Sequence, residues 1–341
     1  MNYKKKPLWL VKLLHFEYWT WWLFYLPLLP WYLIQAFRAK SFTYFTNVDP
    51  CIDYGGFFGE RKFEILQKIF PKYLPITLLV EPYFNIAEVE NLLLQNSLSF
   101  PIICKPNIGE RGTNVEKINN LLALENYLKL GQTFIIQEFI DFEIELGVLY
   151  YRLPKSQFGQ ITSITKKEFL SIVGDGKSSI EELMNQFDRA RFQLKSMENK
   201  LGKSFLNIPP VGEKIVLEPI GNHCRGTTFL NFNHLINNNL NKIFDNICLP
   251  IEGFHYGRFD LRVKSLDDLT LGKNIKIMEL NGVSADPGHI YDPNYKLFTA
   301  YADVAKHWKI LADISIEQQK LGILPIKWKI LWPVIRNHFF A

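Results

Sequence analysis

The chain has 341 residues, room for one large domain or two ordinary ones with ample core. Its 48% hydrophobic and 21% charged residues exclude a disordered polymer. A formal net charge of +5, with no basic stripe interleaved with aromatics, argues against nucleic acid as a partner.

The first feature along the chain is apolar. Tyr18 to Phe37 carries no charged residue, with Lys4, Lys5, Lys6 and Lys12 before it and Arg38 and Lys40 after it. All eight tryptophans lie at the two ends: Trp9, Trp19, Trp21, Trp22 and Trp31, then Trp308, Trp328 and Trp332. Tryptophan and tyrosine favour membrane interfaces. A cleaved signal peptide is a poor fit, because the run is long and aromatic and no small-residue cleavage site follows. A single span with its lysines inside would export everything behind it. Pro27 and Pro30 cost roughly 3 kcal/mol each inside an ordinary helix, so the segment is expected to form two short helices bent there, lying in or dipping into one leaflet. The alternative is that it packs on the rest of the protein as core. From Leu321 to Ala341 aromatic and aliphatic residues alternate with Lys327, Lys329 and Arg336, too broken to span but suited to an interface. The expected location is the cytoplasmic face of a membrane, peripheral or re-entrant.

Next comes Pro101-Ile-Ile-Cys-Lys105-Pro-Asn-Ile-Gly109-Glu-Arg111-Gly112, a short buried strand ending in Lys105 and then a flexible loop. Gly109 and Gly112 permit positive φ and close backbone approach, which lets amides face phosphate oxygens. The spacing is neither a Walker loop nor a dinucleotide fingerprint, and a lysine before a turn is commonly a solvated surface group. Phe134-Ile-Ile-Gln137-Glu138-Phe139 predicts a second strand, and Glu145 to Arg152 a third. Glu138 and Glu145, at strand ends, are placed to accept hydrogen bonds from an adenine amino group and a ribose, or to be solvated edge carboxylates. Leu153 to Gly159 has turn chemistry and marks the expected join between two subdomains. Ser178 to Gly202 predicts one long exposed helix, and the asparagine-rich run from Asn231 to Asn246 a surface helix. The four cysteines, Cys51, Cys104, Cys224 and Cys248, form no CxxC pair and fit scattered thiols in a reducing compartment.

The densest chemistry is Tyr256-Gly-Arg258-Phe-Asp260-Leu-Arg262, followed by Ile277-Met-Glu279-Leu-Asn281. Phe259, Leu261 and Val263 alternate with Arg258, Asp260 and Arg262, the period of a strand with one polar face. Glu279 and Asn281 are two apart and share a face of the next strand. Two carboxylates and an amide converging beside arginines suit Mg²⁺ shared with nucleotide phosphates; two strands with ordinary surface charges are the plain alternative. His289 either orients an amine or caps its loop, His223 is structural or a phosphate neighbour, and His255 packs.

Taken in order, Lys105 with its glycine loop, Gln137-Glu138, Glu145, Arg258 and Asp260, then Glu279 and Asn281 resemble the ATP-grasp superfamily. The branches most similar are the D-alanine–D-alanine ligases and the cyanophycin synthetases, and the resemblance covers about Lys105 to Pro293. It implies an α+β, ATP-grasp fold, two α+β subdomains clamping ATP between antiparallel sheets, behind an aromatic, membrane-interfacial helical N-terminal segment. The expected divisions are 1–45 for that segment, 46–100 for a small lobe, 101–155 and 156–310 for the two subdomains, and 311–341 for an amphipathic tail. Position by position, the resemblance implies that Lys105 holds the α- and β-phosphates, and that Gly109, Arg111 and Gly112 close over the triphosphate. Gln137, Glu138 and Phe139 would line the adenine and Glu145 would bind the ribose. Asp260, Glu279 and Asn281 would hold two Mg²⁺ ions, or Mn²⁺. Arg258 and Arg225 would stabilise the transferred phosphoryl group, with Lys167 touching the γ-phosphate.

Departures limit what carries over. D-alanine ligases begin with a Rossmann-like domain, for which only about 46–100 remains here; Gln137 stands where a carboxylate usually meets adenine; and the serine-rich phosphate loop is replaced. The expected activity is an ATP- and Mg²⁺-dependent carboxylate–amine ligase acting through an acylphosphate, with one substrate membrane-associated. The alternatives are an ATP-grasp kinase that releases its phosphorylated product, or a catalytically quiet, membrane-tethered nucleotide-binding module.

Overall fold

The computed structural model describes residues 5–109 and 112–340, of which 337–340 are described by backbone alone. It opens with three short helices, α1 (Leu8–Leu14), α2 (Trp21–Tyr25) and α3 (Leu29–Arg38). Pro27 sits in a 3₁₀ turn between α2 and α3, and Pro30 lies in the first turn of α3, where a missing N–H costs nothing. The expected break at the prolines is found. Part of the segment packs on the rest of the chain. Phe24 and Leu28 are buried against Ile290, Ala300 and Val304, and the indole of Trp31 donates to the carbonyl of Ala305 at 2.8 Å. Among the described residues no helix is long and apolar enough to cross a membrane.

After α4 (Lys62–Leu66) the first sheet forms from β1 (Thr77–Val80), β2 (Ile102–Pro106), β3 (Glu116–Ile118) and β4 (Phe134–Glu138). Its order is β1-β4-β2-β3, antiparallel throughout. One face packs on α5 (Ile86–Gln95), started by an Asn85–Glu88 capping box, and on α6 (Leu121–Leu128), capped by Asn120. Since β1 pairs with β4, residues 46–100 are not a separate lobe; Thr77–Val80 forms an edge strand of this sheet.

The second sheet has the order β11-β10-β5-β6-β9, built from β5 (Ile144–Tyr151), β6 (Gln160–Glu168), β9 (Thr228–Asn231), β10 (Tyr256–Val263) and β11 (Ile275–Asn281). The turn at 153–159 therefore joins neighbouring strands of one sheet, and the chain changes sheets earlier, between Glu138 and Ile144. Between β6 and β9 a ribbon of β7 (Ser171–Val173) and β8 (Lys214–Val216) carries α7 (Ile180–Met184), α8 (Asp188–Arg191) and α9 (Leu194–Leu201). The single long helix expected over 178–202 is three short ones. Phe187 is extended, and the breaks let Ile180, Met184, Ala190 and Met197 all reach one small core, a tertiary gain that overrides helix propensity. The asparagine-rich helix is α10 (Asn238–Cys248), capped by Asn237.

Period-2 alternation decides the faces of this sheet. Phe259, Leu261, Val263, Leu146, Val148 and Ile164 point to one side and bury against Leu240, Phe244 and Ile247 of α10. The charged residues take the other side, towards the first sheet. After α11 (Leu266–Thr270), the long α12 (Leu297–Lys320) runs through the boundary expected at 310 and packs on α3, and α13 (Trp328–Phe340) ends the chain.

Candidate active site

Antiparallel register sets the charged face. Asp260 stands opposite Glu279, and Arg258 opposite Asn281, across β10 and β11. On the other side Asp260 faces Gly147 and Arg262 faces Glu145, which in turn faces Lys167 on β6. Directly paired residues point to the same side, so all of these converge. A bulge beside Asp260 leaves Met278 with no register partner in β10, and its carbonyl accepts from Lys105 Nζ of the first sheet at 2.8 Å. That contact ties the two sheets together. A Cβ at Gly147 would lie 3.3 Å from both Arg258 Cδ and Asp260 Oδ1, so glycine keeps this rung clear.

The charges form two neighbouring ion-paired groups. Glu279 pairs with Lys62 of α4 at 2.8 Å; Asp260 pairs with Arg258 at 3.0 Å and Lys167 at 3.2 Å; Glu145 pairs with Lys167 and Arg262, each at 3.1 Å. Burial alone would raise the Glu279 carboxyl, but Lys62 and Lys105 reverse this and hold it well below the ordinary range. Burial pulls Lys167 down, and Asp260 and Glu145 more than restore it. Lys105, deeply buried with Lys62 near it, is lowered to about 8 despite the pull of Glu279. Asp260, Glu279 and Asn281 offer two carboxylates and an amide, a hard-oxygen donor set that suits Mg²⁺. The buried Nδ2 of Asn281 has no hydrogen-bond partner, and turning that amide over presents its oxygen to the same place. These residues fit the ion. Among the described residues no group of three His, Cys, Asp or Glu side chains makes a self-sufficient metal cage, so an ion here needs ligand oxygens beyond the protein's own.

Around this centre lie the other expected residues. Gln137 is buried, accepting from Lys105 at 3.1 Å and donating to Thr77 Oγ1 at 3.0 Å. Glu138 accepts from the Ile76 amide, and the Phe139 ring lies 3.7 Å from Lys117 Nζ. Gly112 has φ +73°, and a Cβ there would touch Asn222 and Arg225, so the glycine loop meets the Arg225 turn. Arg225 Nη1 is buried without a hydrogen-bond partner, 3.6 Å from Glu218. Arg111 lies outside the described residues. Glu145 departs from expectation: it is held by two cations, and Gly221 is so close that a Cβ would fall 2.1 Å from its carboxylate. It anchors the charge network and is buried, not open to a ribose.

The histidines resolve differently. Buried His289 meets Ser163 Oγ at 2.8 Å and Asp303 at 3.4 Å, fixing its loop. His223 contacts Glu17, and His255 packs against the Arg152 carbonyl. Three features went unseen in the sequence. One is Lys62, a lone lysine with no surrounding motif. Another is Asp286, whose carboxylate is met by the Tyr291 hydroxyl at 3.0 Å and by Tyr25, and is raised by burial. The third is Glu17, which pairs with Arg189. Tyr25 and Glu17 carry the N-terminal segment to the edge of the site, through contacts between residues far apart in sequence (172 for Glu17 and Arg189) that no local pattern encodes.

No protein-family model matches the chain, and no curated protein matches its sequence. Among solved structures it is similar to a bifunctional glutathione synthetase from Pasteurella multocida, at 14% identity and a TM-score of 0.36, covering 71% of this chain and 35% of that one. A D-alanine–D-alanine ligase from Bacillus anthracis matches at 15% and 0.37, covering 74% and 63%, and the VanG D-Ala:D-Ser ligase from Enterococcus faecalis at 12% and 0.39, covering 71% and 57%. The chain thus spans less than two thirds of the length of each. The D-alanine–D-alanine ligase is of a branch that the sequence resemblance names.

Proposed function

We propose that the protein is an ATP- and Mg²⁺-dependent ligase that joins a carboxylate to an amine. The observation that carries this is the opposition of Asp260 and Glu279 on adjacent strands, with Asn281 and Arg258 on the next rung and Lys105 arriving from the facing sheet. Asp260, Glu279 and Asn281 would hold Mg²⁺, which supplies charge neutralisation between the phosphates. Lys105 and Lys62 bring positive charge to the nucleotide's side of those carboxylates. The carboxylate substrate's oxygen attacks the γ-phosphorus, the bond to the β–γ bridging oxygen breaks, and ADP leaves with that electron pair. Arg258 and Arg225 offset charge on the phosphoryl group in flight, a preorganised electrostatic role. The amine then attacks the acyl carbon, phosphate departs with the electrons of the C–O bond, and the amine gives up a proton.

The test is nucleotide turnover by the full chain with MgATP and pools of carboxylic acids and amines, products followed by ³¹P NMR. ADP and inorganic phosphate are expected, formed only when both substrate classes are present. Asp260→Asn and Glu279→Gln should each lower turnover at least a hundredfold. AMP with pyrophosphate would overturn the acylphosphate route, and a stable phosphorylated product would make the protein a kinase.

A further inference from the structure

We infer that the outer faces of α1–α3 and α13 form one docking surface for an anionic lipid bilayer, against which the protein lies flat. The N-terminal segment has two sides. Its inner side is spent on the protein: Phe16, Trp19, Phe24, Tyr25 and Leu28 pack with α12 and the loop that carries Asp286. Its outer side is bare. Trp9, Trp21, Trp22 and Phe37 are 68%, 56%, 55% and 86% exposed, and none of the described residues covers them.

The C-terminal helix continues that surface. Ile326 is hydrogen-bonded to Thr43 and Thr46, Ile323 to Asn47, and Leu331 is buried in the same cluster as Ala36 of α3 and Ala39 just after it. Outward from this junction α13 exposes Trp328 and Trp332. Clustered exposed aromatics of this kind exceed the scattered apolar residues of an ordinary surface and mark an interaction site.

Charge selects the occupant. In residues 5–48 and 321–336 the basic side chains are Lys5, Lys6, Lys12, Arg38, Lys40, Lys327, Lys329 and Arg336, while the sole acid is Glu17, buried and paired with Arg189. Tryptophans beside an apolar face, with basic side chains in excess of carboxylates (Arg38 is met by Asp313 of α12), suit headgroup depth in an anionic leaflet. The surface goes beyond the ligase proposal and stands without it. It also bears on substrate, because Tyr25 lies on the same short helix as exposed Trp21 and Trp22 and reaches Asp286 at the edge of the cleft. A substrate carried in the leaflet would reach the cleft along this helix.

The test is flotation of the full chain with vesicles of phosphatidylglycerol and phosphatidylcholine, or of phosphatidylcholine alone, with brominated lipid as a quencher of tryptophan fluorescence. Binding to the anionic vesicles, weakened by salt, with quenching of the fluorescence, is expected. Phe37→Glu should reduce binding about tenfold or more, and Lys327→Glu with Lys329→Glu should weaken its salt dependence. Asp260→Asn should bind vesicles as the wild type does, which separates this surface from catalysis. No flotation, unquenched tryptophans, or a dimer in solution that Phe37→Glu dissociates would overturn the proposal, the last by showing a second copy on this face.

Discussion

Lys105 is where residue chemistry and measurement meet most directly. Buried, and with Lys62 near it, it is lowered to about 8, against about 10.4 in an unfolded chain. Between those values the unfolded state binds more protons than the folded one, so stability rises with pH across that window and has no Lys105 slope below it. Without nucleotide, urea unfolding at pH 8 and pH 9.5 should show a gain of about 2 kcal/mol that Lys105→Met lacks. Saturating MgATP should flatten the slope, because phosphate keeps the lysine charged. Asp260 and Glu279 were legible from the sequence because each sits at a strand position whose face the alternation fixes, and Lys105 because it ends a short apolar strand before a glycine loop. Lys62 and Asp286 were not, since their approach depends on how α4 and the 283–291 loop fold back over β11.

At the scale of elements, the apolar N-terminal run shows why composition alone could not separate core from interface. Phe24 and Phe37 belong to the same uncharged stretch, yet one is buried against Ile290, Ala300 and Val304 and the other is 86% exposed. Phe24→Ala should therefore cost about 3–5 kcal/mol, and Phe37→Ala less than about 0.5 kcal/mol, both read from urea unfolding in the absence of lipid. Equal effects would mean that the segment does not dock as described. The long helix expected over 178–202 failed for a related reason: its apolar residues suit a compact cluster better than one helical stripe. Docking of α12 on the start of β10 gives a further handle. His307 accepts or donates to the Tyr256 hydroxyl at 2.9 Å and is lowered by burial to about 3, and His255 is lowered by burial to about 4. Both folded values lie below the unfolded 6.5, so this stability is complete above pH 6.5 and is lost as pH falls through the window beneath it. From pH 6.5 to 5 the two histidines should together remove about 4 kcal/mol, and His307→Gln should halve that loss.

For the molecule as a whole, the decisive property is that the site belongs to neither sheet alone. Lys105 and Gln137 come from the first sheet, Asp260, Glu279 and Arg258 from the second, and one segment, residues 139–143, links them. The sequence order of these residues pointed to a clamp, but the point of division was misplaced because turn chemistry at 153–159 serves equally for a hairpin between β5 and β6. A ligand that bridges two bodies stabilises the whole by mass action, about 2.7 kcal/mol at a hundred times its Kd. MgATP should therefore raise the melting temperature of the full chain in a single cooperative transition. Lys105→Met and Asp260→Asn should each abolish most of that shift although they lie on different sheets, and combining them should add little, because two residues serving one bridging ligand are not independent. Scanning calorimetry with and without MgATP distinguishes the cases. If the two losses were additive, or if nucleotide without Mg²⁺ gave the full shift, then nucleotide would sit on one sheet only, and Asp260 and Glu279 would be a structural pair held by lysines.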